Sequence, residues 1–388
     1  MRPVMRNILF LTHTINKYCA VKLDGVYSAA KSRGWTVSDA EFGWTAWNIS
    51  DIVSSLRPDG IIFEGGRLIG DVDLRALRGI PSVYLDTDFP APRGRVAIRS
   101  DAAAIANLAA DELIASAPAE TVFFSLTPRK TWSKLRADSF RKRMRAIRKP
   151  FRVLNDPDDL AVLRKPFAVF AANDLSAATL FRSAKRLGLV CPRDFTLVSV
   201  DNETLFCENA EPKVSSVEQD FFQAGTAAIE ALEQLFTRGT PRRGTILIPP
   251  KRLVRRASSV RPRPCKSIAQ KVEAYIDLHA LEPLGIADIA KSIGCSRRTA
   301  ENHFRSAYGR SVGEAILARR FAEVEQRLVD PGQLLDPIAN LCGWRSSSNL
   351  KRSFRKRYGM TMSDWRNLKT GKAAPTPLQQ RTTLGDGD

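Results

Sequence analysis

Two stretches in the last third of the chain repeat one spacing of small, glycine and aromatic residues, and few folds satisfy that pattern twice. In the first, Ala290 precedes Gly294 by four residues and Phe304 precedes Gly309 by five. In the second, Ala339 precedes Gly343 by four and Phe354 precedes Gly359 by five. The Gly-to-Phe interval is 10 residues in one and 11 in the other, a difference that a turn absorbs. Each position has a physical reason in two helices that cross closely. A small side chain at Ala290 or Ala339 lets the second helix approach the first. Gly294 or Gly343 supplies the left-handed backbone that ends the first helix. Ser296 and Ser346 cap the second helix, and Phe304 and Phe354 anchor it in a core. One such pair would be hard to tell from a generic basic bundle. Two with matching caps, glycines and anchors predict tandem helix-turn-helix units.

The outward faces of the two second helices are then polar. They carry Arg297, Arg298, Glu301, Asn302 and Arg305 in one, and Ser347, Ser348, Asn349, Lys351, Arg352 and Arg355 in the other. Arg and Asn suit bidentate contacts with guanine and adenine edges in a major groove. Lys351, Lys356 and Arg357 suit phosphate. The segment Val312–Val329 reads as a long connecting helix that holds the units apart, so that they can enter successive grooves roughly 34 Å apart.

Charge agrees with this placement. The formal net charge of +19 favours a polyanionic partner, and its distribution says more than its size. Residues 1–241 carry 32 Lys+Arg against 28 Asp+Glu, residues 242–264 carry eight bases and no acid, and residues 265–369 carry 18 bases against 11 acids. The basic excess lies in the C-terminal part, behind a front half with an ordinary balance. At roughly 150 residues per domain, 388 residues imply two or three domains.

The front half alternates short apolar runs with helical stretches, the mark of an α/β fold with parallel strands. Strands are expected at Asn7–Thr12, Thr36–Asp39, Gly60–Phe63, Ser82–Leu85, Thr121–Leu126, Ala168–Ala171, Thr196–Val200 and Ile246–Ile248. Helices are expected at Val21–Ser32, Ala102–Ala115, Leu135–Ile147, Ala177–Leu187 and Phe221–Leu235. The division expected is a front domain over 1–250, an exposed Pro/Arg/Ser linker over 251–266, an all-α domain over 267–368 and a disordered tail over 369–388.

Residues 267–366 resemble the AraC/XylS-type DNA-binding domain. The matching stretches are Ile289-Ala290 to Phe304, Arg319-Arg320-Phe321-Ala322, Ile338 to Trp344 through Phe354, Tyr358-Gly359 and Trp365-Arg366. Trp344 stands where Phe is usual, Ala300 replaces a larger apolar residue and Met362 replaces a usual proline. The resemblance implies base contacts from Arg298, Glu301, Asn302, Ser347, Ser348, Asn349 and Arg352, with double-stranded DNA as partner.

In the front half, Asn173-Asp174 and Asp201-Asn202 each follow an apolar strand directly. That is where open α/β sheets bind ligands, although a helix cap is the commoner reason for Asp or Asn there. Asp, Asn and Arg can give or take the paired hydrogen bonds of vicinal hydroxyls, and Trp132 or Phe89 could cover an apolar sugar face. The front half also resembles the LacI/GalR-type, periplasmic-binding-protein-like effector domain, over residues 7–258. The stretches that carry this are Pro58 to Ile62, Ser100-Asp101, Ala171 to Asp174, Leu187 to Pro192, Val200-Asp201-Asn202 and Ser215-Ser216-Val217. Val200 to Glu208, followed by Pro212 and Ser215 to Val217, is similar to the xylose-operon activators, which join such a domain to an AraC-type one. Glu64-Gly65-Gly66 and Ser139 depart from the family pattern.

The resemblance implies a two-lobed domain that binds a small polar effector, a monosaccharide such as a pentose, through Asp86, Arg136, Asn173, Asp201 and Gln219. It also implies a homodimer that acts as a transcription activator, with RNA polymerase as a further partner. The rival is a ligand-independent architectural DNA-binding protein, or a regulator of a non-sugar ligand.

Neither catalyst, cofactor nor metal is expected. Gly65 to Gly70 has P-loop glycine spacing, but Asp71 stands where Lys is required. GxSxG and HExxH are absent, and His13, His279 and His303 read as incidental. Six scattered cysteines without a CxxC pair fit a reducing compartment. With no apolar run long enough for a signal core or a membrane span, the expected location is cytoplasmic.

Overall fold

The computed structural model describes residues 5–12, 15–41, 49–65, 78–87, 95–238, 244–260, 267–329 and 335–370. The chain divides into two compact units, Met1–Arg261 and Pro262–Asp388.

The first unit contains two lobes, each built on a sheet whose central strands, buried on both faces, are largely apolar runs, while its edge strands are partly exposed. Ile8 to Leu11 are fully buried in β1 (Asn7–Thr12). Next come α1 (Lys17–Lys31), β2 (Thr36–Glu41), α2 (Ile49–Leu56), β3 (Gly60–Glu64), β4 (Ser82–Leu85) and β5 (Val96–Ser100). The chain then crosses to the second lobe through Asp101, which caps α3 (Ala102–Ile114) by accepting from the Ala103 and Ala104 amides, each at 2.9 Å. The second lobe holds β6 (Glu120–Phe124), α4 (Thr131–Ala146), β7 (Phe151–Leu154), β8 (Phe167–Ala171), α5 (Asp174–Arg186), β9 (Phe195–Val200), α6 (Thr204–Asn209) and β10 (Ser215–Glu218). A second crossing returns through α7 (Phe221–Arg238) to β11 (Gly244–Ile248), and a third ends in β12 (Arg252–Val254).

Among the described residues, the first sheet runs β11-β5-β4-β3-β1-β2 and the second β12-β10-β9-β8-β6-β7. Every pairing is parallel except β10 with β12. The return crossing is held by α1 against α7 at two glycines. A Cβ on Gly25 would lie 2.1 Å from the Phe222 carbonyl oxygen, and one on Gly225 would lie 1.9 Å from that of Lys22. The helices therefore meet backbone to backbone.

The structure corrects the linker expected from residue 251. Arg252–Val254 is the antiparallel edge strand of the second sheet, and Ser258 and Ser259 are buried behind it. The arginines that read as solvent-exposed are partnered: Arg252 with Glu218, Arg255 with Glu112 and Arg256 with Glu208. Composition could not reveal partners so distant in the chain. Residues 261–266 lie outside the described residues, as do Phe89, His13, Gly66 to Gly70 and Asp71.

The second unit is helical: α8 (Ile268–His279), α9 (Ile286–Ile293), α10 (Arg297–Tyr308), α11 (Val312–Leu328), α12 (Leu335–Leu341), α13 (Ser347–Tyr358) and α14 (Met362–Thr370). The last helix runs to Thr370, two residues beyond the expected boundary, and the remainder of the expected tail lies outside the described residues. Two cores form, one around Phe304 with Ile289, Ala290 and Ile316, the other around Phe354 with Ile338, Ala339 and Phe321. The connecting helix α11 serves both. Its Arg320 donates to the Ala280 and Glu282 carbonyls, each at 2.7 Å, satisfying acceptors just beyond α8.

Candidate functional site

In the first unit, polar side chains converge at the carboxyl ends of the parallel strands, between the lobes. A narrow cleft there is lined by Asp86, Thr87, Arg99 and Ser100 from one lobe, and by Ala102, Thr131, Trp132 and Leu135 from the other.

On the first lobe, β1 and β3 end in Thr12 and Glu64, and Asp86 directly follows β4. The Thr12 hydroxyl donates to Glu64 at 2.7 Å, and the buried Lys22 ammonium lies 3.0 Å from Glu64 and 2.7 Å from Asp86. Burial opposes the charge on Lys22, but the two carboxylates outweigh it and hold its pKa above the usual lysine value. Asp86 has the left-handed φ of 51°, uncommon for a residue with a side chain.

On the second lobe, Arg136 of α4 is 3% exposed. It donates to the Ala172 carbonyl at 2.5 Å, and its guanidinium lies 4.8 Å from the Trp132 ring centroid and 3.8 Å from Asp201. Its Nε is buried without a partner among the described residues. Burial lowers the Arg136 pKa, opposed by Asp201, Asp86 and Asp174. Burial raises the Asp201 carboxyl above the usual range, opposed by Arg136 and by Gln219, which donates to it at 2.5 Å.

Asn173 behaves differently from the other expected contacts. Its side-chain oxygen accepts from the amide of Ser176 at 3.0 Å and from its hydroxyl at 2.7 Å, so that oxygen is the N-cap of α5. Next to it, Asp174 accepts from the Ser199 hydroxyl, from Ser216 at 2.8 Å and from the Glu203 amide at 2.5 Å. Burial, with Asp201 adding to it, pushes the Asp174 carboxyl up to about 6.

Asp86 and Trp132 thus line the cleft, and Arg136 lies buried against Trp132, facing Asp201, which holds Gln219. Sequence reasoning missed Lys22, Glu64 and Tyr18 as members of this site, and marked Asp174 only as the neighbour of Asn173. Thr12 and Glu64 were open to the strand-end rule that singled out Asn173 and Asp201. Asn16 was a readable cap for α1, accepting from the Tyr18 and Cys19 amides, each at 3.0 Å. That start places Tyr18 facing Glu203 at 3.5 Å and Phe221 at 5.0 Å between centroids.

In the second unit, the repeat forms two crossed helix pairs. Gly294 and Gly343 have φ of 72° and 75°, and Ser296 and Ser346 accept from the Thr299 and Asn349 amides at 3.0 and 3.3 Å. Ala290 and Ala339 are buried, as are Phe304 and Phe354. On α10, Arg297, Arg298, Asn302 and Arg305 are exposed. Glu301 is half-buried, one oxygen accepting from Arg305 at 3.0 Å and the other from the Val312 amide at 3.3 Å, which ties α10 to the start of α11. On α13, Ser348, Asn349 and Arg352 are exposed, with Arg352 donating to Asn349 at 2.8 Å, and Ser347 is half-buried. Lys351 pairs with Asp336 at 2.8 Å, and Arg357 stacks 4.9 Å from the Phe321 centroid. Each pair therefore presents one helix with hydrogen-bonding side chains outward, the shape and chemistry that read a DNA groove.

A family model described as a periplasmic binding protein-like domain matches residues 110–259, and one described as a helix-turn-helix domain matches residues 289–368. The xylose operon regulatory protein of Escherichia coli (strain K12) is 24% identical over 212 residues, 54% of this chain and 54% of that protein. The chain thus spans about half the length of the curated relatives it matches there. Regulatory protein SoxS of Escherichia coli (strain K12) is 33% identical over 104 residues, 26% of this chain and 95% of SoxS. Among solved structures, that of the xylose-binding transcription activator xylR shares the fold with a TM-score of 0.55 at 21% identity, over 95% of this chain and 100% of that one. Its repeat, its caps and these matches together place the chain in the AraC-type helix-turn-helix family, with a periplasmic-binding-protein-like domain in front of the DNA-binding unit.

Proposed function

We propose that this chain is a sequence-specific DNA-binding transcription regulator controlled by a small polar ligand, a monosaccharide such as a pentose. The observation that carries this is the interlobe cleft, lined by Asp86 from one lobe and Trp132 from the other, with the linked Arg136, Asp201 and Gln219 packed behind Trp132. Carboxylate, guanidinium and amide around an aromatic ring offer the paired donors and acceptors, and the flat apolar face, that a sugar ring needs. Similarity to a xylose operon regulatory protein supports the same reading, and likeness to a xylose-binding transcription activator supports activation.

Arg298 and Asn302 of α10, and Ser348, Asn349 and Arg352 of α13, take the base edges. Ser347 lies beside them. Glu301 acts through its ties to Arg305 and Val312. The chain works in the cytoplasm as a homodimer, and closure of its lobes changes how the DNA-binding units engage their half-sites.

The test is thermal melting with a panel of aldoses. A ligand at 100 times its dissociation constant stabilises by about 2.7 kcal/mol, worth roughly 5–10 °C for a unit of this size. No shift with any aldose would reject the sugar. A non-sugar ligand is favoured by one observation, the Lys22–Glu64–Asp86 cluster, whose fixed charges suit a ligand bearing an amino or acidic group. The same melts with amino and acid sugars separate the two.

A further inference from the structure

The front unit carries a concentrated basic surface at the end of α4 away from the cleft, whereas Thr131, Trp132 and Leu135 at its start line the cleft and Arg136 is buried beside them. Residues 129–152 hold 11 Lys+Arg and one acid, Asp138, whereas the rest of residues 1–241 holds 21 bases against 27 acids. One helix and its neighbouring strand thus carry a charge of the opposite sign to the remainder. Around the end of α4 and β7, Arg141, Arg145, Lys149, Phe151, Arg152 and Val153 line an open concavity of roughly 350 Å³.

Some of these cations have local partners: Arg141 pairs with Asp138 at 2.6 Å, Arg143 with Asp111 at 2.7 Å and Arg152 with Glu120 at 2.8 Å. Lys142, Arg145 and Lys149 are exposed and have no carboxylate partner among the described residues. The helix dipole rewards Arg143 and Arg145 in the last turn of α4, but folding alone does not explain Lys142 before that turn or Lys149 beyond the helix, and like charges three and four residues apart destabilise a helix.

We infer that this α4–β7 face is a second DNA contact, gripping duplex phosphates while the helix-turn-helix units hold the same molecule. The inference rests on the DNA-binding reading above. Phosphate fits the face because it asks only for positive charge without base recognition, and exposed Lys and Arg around a shallow concavity supply that. The contact need not be strong. Bound DNA is presented to the front unit at an effective concentration of about millimolar, as for any tethered pair with a short connection.

The experiment uses the full chain and a random-sequence duplex of about 60 base pairs, and measures the dissociation constant from 50 to 200 mM salt. The variant Lys142→Gln/Arg145→Gln/Lys149→Gln should lower the salt slope by about 0.9 per lost phosphate contact. Over that fourfold range the wild type should then lose up to about 40-fold more affinity than the variant. A control, Lys31→Gln/Arg182→Gln/Lys185→Gln, removes the same charge from exposed positions elsewhere and should keep the wild-type slope. If the triple variant does not fold, Lys149→Gln alone, just beyond α4, should still lower the slope by about 0.9. Equal slopes for wild type and variant, or an equal fall in the control, overturn the inference and leave the face to an acidic protein or to solvent. A chain that binds no duplex at all overturns the DNA-binding reading itself.

Discussion

The crossing of α1 and α7 makes a demand that a single methyl group can test. A Cβ on Gly225 would stand 1.9 Å from the Lys22 carbonyl oxygen, whereas a close carbon–oxygen contact sits at about 3.3 Å. Gly225→Ala must therefore push the helices apart by roughly 1.4 Å, because the obstruction is backbone and cannot rotate away. Overpacking of this kind costs typically 1–3 kcal/mol, and a backbone collision belongs at the upper end. Replacing a helical glycine by alanine returns about 0.5–1 kcal/mol. The net loss expected is about 2 kcal/mol, which lowers the melting temperature of the front unit by roughly 4–8 °C. Gly25→Ala should do the same, and the double variant should cost less than the sum, since one displacement relieves both collisions. Gly244, with open space around its missing Cβ, is the control. Differential scanning calorimetry of the wild type and these four variants reads this directly. A Gly225→Ala protein that melts with or above the wild type would refute the backbone-to-backbone crossing.

Arg298→Ala should relax selection at particular base positions, at a cost of about 1–3 kcal/mol on the preferred sequence, whereas Lys356→Ala should weaken all sequences alike. Binding to a randomised duplex library distinguishes them, and a uniform loss in both would undo the division into base and phosphate contacts. Asp174, pushed up to about 6 by burial and then by Asp201, binds a proton more tightly folded than unfolded. The stability this gives is fully present below the unfolded value of about 3.9 and is lost as pH rises through about 6. Asp174→Asn should therefore flatten part of the rise in front-unit stability between pH 7.5 and pH 5, and identical pH profiles would contradict the assignment. Trp344 buries an indole N–H with no partner among the described residues, its ring edge-on to Phe321 at 5.4 Å. Trp344→Phe removes a donor whose isolation costs about 1–3 kcal/mol, offsetting the lost packing, and should change stability by under about 1 kcal/mol in urea denaturation. Trp344→Ala should cost about 3 kcal/mol.

The C-terminal unit was legible because its determinants are local. Ala290, Gly294, Ser296 and Phe304 act on one another within 15 residues, and each acts through backbone geometry or burial that spacing alone reveals. The front unit was legible in its alternation and in most long elements, but not in β5, β7, β10, β12, α2 or α6. These are short, and several open beside Pro, Gly or charged residues that read as loop. The cleft was half legible for a related reason. Asp201 and Gln219 stand 18 residues apart and their pairing follows from adjacent strands. Lys22 gave no sign of meeting Glu64 or Asp86, 42 and 64 residues away, and only the sheet order brings them together. The misread linker has the same origin, since Arg256 reads as a solvated charge until Glu208 and Asn202 are placed beside it.

The turn after β9 ties the cleft to several other parts of the front unit. Asp201 and Asn202 have φ of 102° and 51°, conformations that cost about 1–3 kcal/mol each unless the surroundings impose them. They are imposed: the Asp201 amide donates to the Val217 carbonyl at 2.9 Å, the Asn202 amide to the Ser216 hydroxyl at 3.0 Å and the Glu203 amide to Asp174 at 2.5 Å. With its backbone so held, the turn sends three side chains in three directions. Asp201 reaches Gln219 on the second crossing and faces Arg136 in the cleft. Asn202 accepts from the buried Arg256 at 2.9 Å, five residues before the unit ends at Arg261. Glu203 takes Lys17 of the other lobe at 2.5 Å. A ligand hydroxyl that bonds Asp201 competes with Gln219 for the same oxygen, and so acts on the crossing. The rigid turn carries that competition to the Lys17 contact between the lobes and to the strand end that leads toward the DNA-binding unit. Packed elements of this kind change between discrete arrangements rather than deform by degrees, so under the proposed reading the turn would be the lever between a ligand in the cleft and the chain beyond it.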